Sequence, residues 1–136
     1  MRLGGRLAAA IEVLDDIERR HRTAADALKD WGLSHRFAGA GDRAAIGNIV
    51  YDGLRRKRSA GWLFGEDTPR AVGFGALLLK WGESARSLNA ALDGDRFAPP
   101  PLSEAEERTV EERRSAAVPD AVAADCPDWA VPLLEA

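Results

Sequence analysis

The chain has 136 residues, of which 46% are hydrophobic and 30% charged, which fits one globular domain with a single core and leaves no room for a second fold beside it. One cysteine excludes an internal disulfide, cannot by itself hold a zinc, and suits a reducing cytoplasm. The net charge of -3 divides unevenly: residues 1–60 carry 12 Lys/Arg against 8 Asp/Glu, residues 61–136 carry 7 against 14, so the first part is the one suited to a polyanion.

Glu12, Asp15 and Asp16 interrupt the apolar residues behind the positive start, so the N-terminus does not read as a signal peptide, and no stretch approaches membrane-spanning length. Leu3, Leu7, Ala10, Leu14 and Ile17 recur in steps of four and three, predicting an inward-facing stripe on a helix from about Arg2 to Arg20. Arg19-Arg20-His21-Arg22 closes it with the positive charge that a helix C-terminus favours. Thr23 is placed to cap a short helix from Ala24 to Trp31, with Leu28 and Trp31 buried and Gly32 ending it. Ser34 to Phe37 reads as one further helical turn, and Gly39-Ala40-Gly41 as a flexible connection.

The stretch Asp42 to Phe64 combines the clearest buried helix face with the densest positive charge, and the other elements read as arranged around it. Ile46, Ile49, Val50, Gly53 and Leu54 share one face at helical spacing, while Asn48, Asp52 and Arg55 point away. Asp42 is the expected N-cap. The helix runs into Arg55-Arg56-Lys57-Arg58, which is either a solvated terminus favoured by the dipole or a phosphate-binding edge. Arg43, Gly47, Tyr51 and Arg58 fall along one flank of the wheel, and Gly47 leaves room there for a backbone or ribose. Ser59 to Phe64 reads as a short helix closing the core.

Thr68-Pro69 is a strong helix start, predicting a helix to about Trp81 with Val72, Leu77, Leu78, Leu79 and Trp81 buried and Gly82 as its stop. Ser84 begins another helix carrying Leu88 and Leu92, broken at Asp93-Gly94-Asp95. Pro99-Pro100-Pro101 reads as a linker that divides a bundle of residues 1–98 from a segment of residues 99–136. Ser103 and Glu106 have capping-box spacing and introduce a charged helix to about Arg114, whose glutamates read as a solvated face. A short helical stretch after Pro119 and the segment Cys126 to Leu134 complete the chain. Strand-type alternation is absent, so the fold class is all-α, a bundle of about six to eight helices.

Chemistry for catalysis is missing. His21 and His35 have no acid or nucleophile at readable spacing and read as surface residues. Gly73-Phe74-Gly75 resembles the start of a dinucleotide loop, but the third glycine would fall at Leu78 and no strand precedes it. Cys126 has no basic neighbour in sequence to lower its thiol pKa.

Asp42-Arg43-Ala44-Ala45-Ile46-Gly47-Asn48-Ile49-Val50-Tyr51-Asp52-Gly53-Leu54-Arg55-Arg56 resembles the central helix of the amino-terminal domain of the Sun/Fmu (RsmB-like) ribosomal RNA methyltransferases. Arg6 to Leu14 is similar to that domain's first helix, and Cys126-Pro127-Asp128-Trp129 to the segment leading towards its catalytic part. The resemblance implies a NusB-like helical bundle that contacts ribosomal RNA beside its own carboxy-terminal methyltransferase domain, in the cytoplasm, with no membrane or DNA partner. It also implies S-adenosylmethionine for the full-length enzyme, which makes 5-methylcytosine, and no cofactor, metal or catalytic residue for this chain. Its expected RNA contacts are Arg43, Tyr51, Arg55, Arg56, Lys57 and Arg58, with Tyr51 offering a ring to an unpaired base. The glycine-rich cofactor loop, the Pro-Cys dipeptide and a second cysteine are all missing, as expected of a fragment that stops where the methyltransferase would begin. Two other readings stay open: a stand-alone NusB-type module acting in transcription antitermination, and a helical protein-interaction domain whose basic edge only caps a helix.

Overall fold

The computed structural model describes residues 1–114, so the expected helical stretch after Pro119 and the Cys126 to Leu134 segment lie outside the described residues. Among them the fold is an all-α bundle of seven helices: α1 (Leu3–Arg20), α2 (Ala24–Ser34), α3 (Ala40–Arg55), α4 (Lys57–Phe64), α5 (Pro69–Leu79), α6 (Ala85–Leu92) and α7 (Glu104–Arg114). Among the described residues no helix is long and apolar enough to cross a membrane, and no group of three or more His, Cys, Asp or Glu side chains of these residues could hold a metal ion.

Thr23, Thr68, Ser84 and Ser103 cap their helices as their chemistry predicts. Thr23 Oγ1 accepts from the Asp26 amide at 3.2 Å, and Thr68 Oγ1 from the Ala71 amide at 3.1 Å. Ser84 and Ser87 form a reciprocal capping box, as do Ser103 and Glu106, each side chain accepting from the other's amide. Each contact satisfies amides that the first helical turn leaves without an internal partner.

The organising element is α5 rather than the α3 region. Every residue from Ala71 to Leu78 is buried, and α5 packs against α1, α3 and α4 together. It carries no charge between Arg70 and Lys80, and a helix apolar all round has to sit inside, whereas α3 is amphipathic and occupies a flank. The Gly73-Phe74-Gly75 triplet belongs to this packing: Phe74 is fully buried, and Gly75 is where α4 crosses closest. A Cβ at Gly75 would lie 2.5 Å from Ala60 Cβ and 3.3 Å from Ala60 Cα. Gly75→Ala is therefore expected to destabilise by about 1–3 kcal/mol through overpacking, although alanine is the better helix former by about 1 kcal/mol. Adding Ala60→Gly should recover part of the loss, a coupling that a denaturant double-mutant cycle reads directly.

Several boundaries differ from expectation. Gly32 does not end α2, which continues to Ser34, and the following residues form a turn rather than another helical turn. The chain from Gly39 is not a flexible connection: α3 begins at Ala40 with Gly39 as N-cap, which puts Asp42 inside the first turn. Asp42 there accepts from Arg6 Nε at 3.0 Å, and that bond holds its carboxyl below the usual range. Helix α5 stops at Leu79, leaving Trp81 42% exposed with its indole N–H on Asp52 Oδ2 at 3.1 Å. Leu28 and Trp31 are half-buried while Ala27 takes the inner position of α2. His21 is exposed, but His35 is half-buried and stacked on Trp31 with ring centroids 4.2 Å apart.

The proline segment does not set a bundle of residues 1–98 apart from α7. Leu102 and Val110 belong to the same core cluster as Phe74, and α7 packs on α4 and α6. Prolines cannot donate, but their carbonyls still accept, and Arg70 donates to Pro100 O at 2.7 Å and Pro101 O at 3.0 Å. Asn89 mimics a backbone partner for Leu102, donating to its carbonyl at 3.0 Å and accepting from its amide at 2.8 Å.

Candidate nucleic-acid interface

The basic run is divided by a break in the helix. Helix α3 ends at Arg55, Arg56 adopts φ -117° and ψ 25°, and α4 starts afresh at Lys57. Arg56 is 8% exposed, so of the six residues expected at the interface it is the one turned inward, and it is not available as an outward contact. Arg43, Arg55, Lys57 and Arg58 are exposed, and Tyr51 is 41% exposed.

Because the break intervenes, the flank of α3 runs Arg43, Gly47, Tyr51, Arg55 at steps of four, a row about 18 Å long at the helical rise. Arg58 belongs to α4 and lines a separate shallow depression with Lys57, Trp62, Glu66 and Asp67. Gly47 gives less access than expected: Leu28 lies 3.9 Å from where its Cβ would be. The space is instead a groove of about 570 Å³ between α2 and α3, lined by Leu28, Lys29, Trp31, Arg43 and Tyr51 among others. Lys29 is a cation that periodicity did not single out. Nothing in linear sequence sets it beside Arg43; the packing of α2 on α3 does.

The electrostatics differ between the two basic clusters. At the end of α1, Arg19 meets Asp15 at 3.4 Å and Arg20 meets Asp16 at 3.3 Å. Arg22 bridges Asp16 at 3.1 Å and Asp30, and its hydrogen bond to Asp30 raises its pKa. That cluster is occupied by the protein's own carboxylates and ties α1 to α2. Along α3 and α4, Arg55 lies 3.7 Å from Asp52 but its side chain remains 69% exposed, a contact of little energetic weight. Arg43 and Lys57 have no carboxylate partner among the described residues.

The break also changes the meaning of the charges. Had the helix continued through Arg58, all four cations would cap its negative end, which is where positive charge belongs for structural reasons. Lys57 and Arg58 instead occupy the first turn of α4, with no side-chain cap, at the positive end of a helix dipole, where cations are unfavourable and an anion is attracted. No protein-family model matches the chain, and neither a curated protein nor a solved structure shows a match to it.

Proposed function

We propose that this chain is the RNA-binding bundle of an S-adenosylmethionine-dependent ribosomal RNA (cytosine-5) methyltransferase, holding ribosomal RNA for a catalytic domain outside these residues. The likeness of Asp42–Arg56 to the central helix of the Sun/Fmu amino-terminal domain motivates the reading, and a NusB-like arrangement accommodates seven helices. Its main physical support is the outward cation set of Arg55, Lys57 and Arg58 at the α3–α4 break, two of which sit where the helix dipole disfavours them. The α2–α3 groove with Lys29, Arg43 and Tyr51 continues the track. Such contacts grip the sugar-phosphate backbone and orient it, without reading sequence. The reading assigns the methyl transfer and its S-adenosylmethionine to the catalytic domain outside these residues.

The test is filter binding of ribosomal RNA across a salt series. Each cation that meets a phosphate adds about 0.7–0.9 to the slope of log K against log salt. Replacing Arg55, Lys57 and Arg58 together by alanine should weaken binding and flatten that slope by about 2, with circular dichroism unchanged because all three lie at the surface. An unaltered slope removes these residues from the interface.

A protein-only module is favoured by one observation, that Glu66 and Asp67 line the same depression as Lys57 and Arg58 and balance its charge. That reading requires no salt-dependent retention of RNA by the wild-type chain.

A further inference from the structure

Two copies of one tripeptide face a single cleft. Arg36-Phe37-Ala38 follows α2 and Arg96-Phe97-Ala98 follows α6, and both occupy tight turns of the same kind. The Ala38 amide donates to His35 O at 3.0 Å, and the Ala98 amide to Asp95 O at 3.1 Å, so Arg and Phe are the two central residues of each turn. In both, alanine packs inward while phenylalanine stands out: Ala38 is buried and Ala98 packs on the core, whereas Phe37 is 75% and Phe97 68% exposed. Of the chain's four phenylalanines, these two are left to water at one place.

Between them lies a cleft of about 590 Å³, walled by α1 and by Trp31, His35, Phe37 and Phe97. Its aromatic wall is pre-organised. Trp31 and His35 stack with planes 7° apart, Phe37 meets His35 edge-on at 5.8 Å, and the Trp31 indole is held by Glu12 Oε2 at 3.1 Å. Asp95 Oδ1 accepts from the Phe97 amide at 3.0 Å, fixing the second turn. Arg2 lines the cleft together with the Glu12 and Asp95 carboxylates, Arg36 and Arg96 precede the two phenylalanines in the chain, and none of the three arginines pairs with a carboxylate among the described residues. The Arg96 guanidinium lies over the Phe97 ring at 5.0 Å, which leaves its N–H edge for an outside acceptor. Trp31 lines both this cleft and the α2–α3 groove.

We infer that this cleft receives an unpaired nucleobase of single-stranded RNA, stacked on the Phe37 and Phe97 rings, with Arg2, Arg36 and Arg96 meeting the flanking phosphates. Aromatic faces interleaved with guanidinium groups are what a flexible strand needs, because every base has a π-face and every linkage a negative charge. The Glu12 carboxylate, which has lone pairs beyond the one given to Trp31, favours a base that carries an exocyclic amine. The inference rests on the RNA-binding reading above and adds to it a second, uncharged mode of contact.

The experiment uses fluorescence anisotropy of a short fluorescein-labelled oligocytidylate with the full chain and a Phe37→Ala/Phe97→Ala variant. The variant should bind at least about tenfold more weakly, the scale of one lost base stack. The slope of log K against log salt should not change, because no charge is removed. Phe37→Tyr/Phe97→Tyr, which keeps both rings, should bind like the wild type, and all three proteins should melt alike because the rings are exposed. Wild-type affinity in the alanine variant overturns the cleft. If that occurs while Arg55→Ala/Lys57→Ala/Arg58→Ala still flattens the slope, the basic edge stands alone. A wild-type chain that retains no RNA at any salt overturns both.

Discussion

Phe74→Ala is expected to lower stability by about 3–5 kcal/mol, the range for deleting a buried aromatic ring. Phe74 is fully buried in the middle of α5, the one helix among the described residues that is enclosed on all sides. Its ring meets Phe64 of α4 edge-on at 6.5 Å, and the Arg70 guanidinium lies 4.5 Å from its centroid. Alanine would therefore open a cavity where α5 meets α4 and uncover the aromatic base on which Arg70 rests. A domain of this size has about 5–15 kcal/mol in total, so the variant loses a large fraction of its stability. Thermal unfolding followed by circular dichroism should show the midpoint falling by more than about ten degrees, at about 3–4 °C per kcal/mol. Phe74→Leu, which keeps most of the volume, should lose far less. A small effect for alanine would mean that α5 is not the structural centre.

Arg70→Met should cost about 2–3 kcal/mol, as charge-assisted hydrogen bonds of a part-buried arginine are lost. Arg70 holds Glu106 through Nε at 3.2 Å and Nη2 at 2.9 Å, and it also clasps the Pro100 and Pro101 carbonyls, so one side chain fastens the proline segment and the start of α7 to α5. The pH dependence identifies the pair. Donation from Arg70 lowers the Glu106 carboxyl below its ordinary 4.5, so the unfolded chain takes up the proton first as acid is added. The stabilisation is fully present above about pH 4.5 and is lost as the pH falls through the lower folded value. Melting temperatures from neutral pH downwards should decline less steeply in Arg70→Met than in the wild type. Parallel curves would show that the bridge carries no stability.

The helices were largely legible because their signals are local. Apolar spacing marks α1 and α3, and Thr23, Thr68-Pro69, Ser84 and Ser103 each announce a helix start by offering oxygen to amides a few residues on. Where local chemistry misled, a distant partner had intervened. Asp42 resembles an N-cap, yet Arg6 of another helix takes its carboxylate and Gly39 opens the helix. Gly32 resembles a stop, yet a glycine inside a helix costs only about 1 kcal/mol relative to alanine, and α2 runs through it. Pro99-Pro100-Pro101 resembles a linker, and no reading along the chain could find Arg70 reaching its carbonyls from about thirty positions earlier.

The candidate interface divides in the same way. Composition and periodicity alone concentrate the positive charge between Arg43 and Arg58 and make the fold that carries it helical, since neither signal needs a partner to be read. Packing in three dimensions turned Arg56 inward, made Lys57 and Arg58 open a new helix instead of closing an old one, set Lys29 beside Arg43, and brought two Arg-Phe turns to one cleft. Those outcomes depend on where α4 must bend to lie against α5, and the direction of a bend is fixed by contacts between elements far apart in the chain, not by residues adjacent in it.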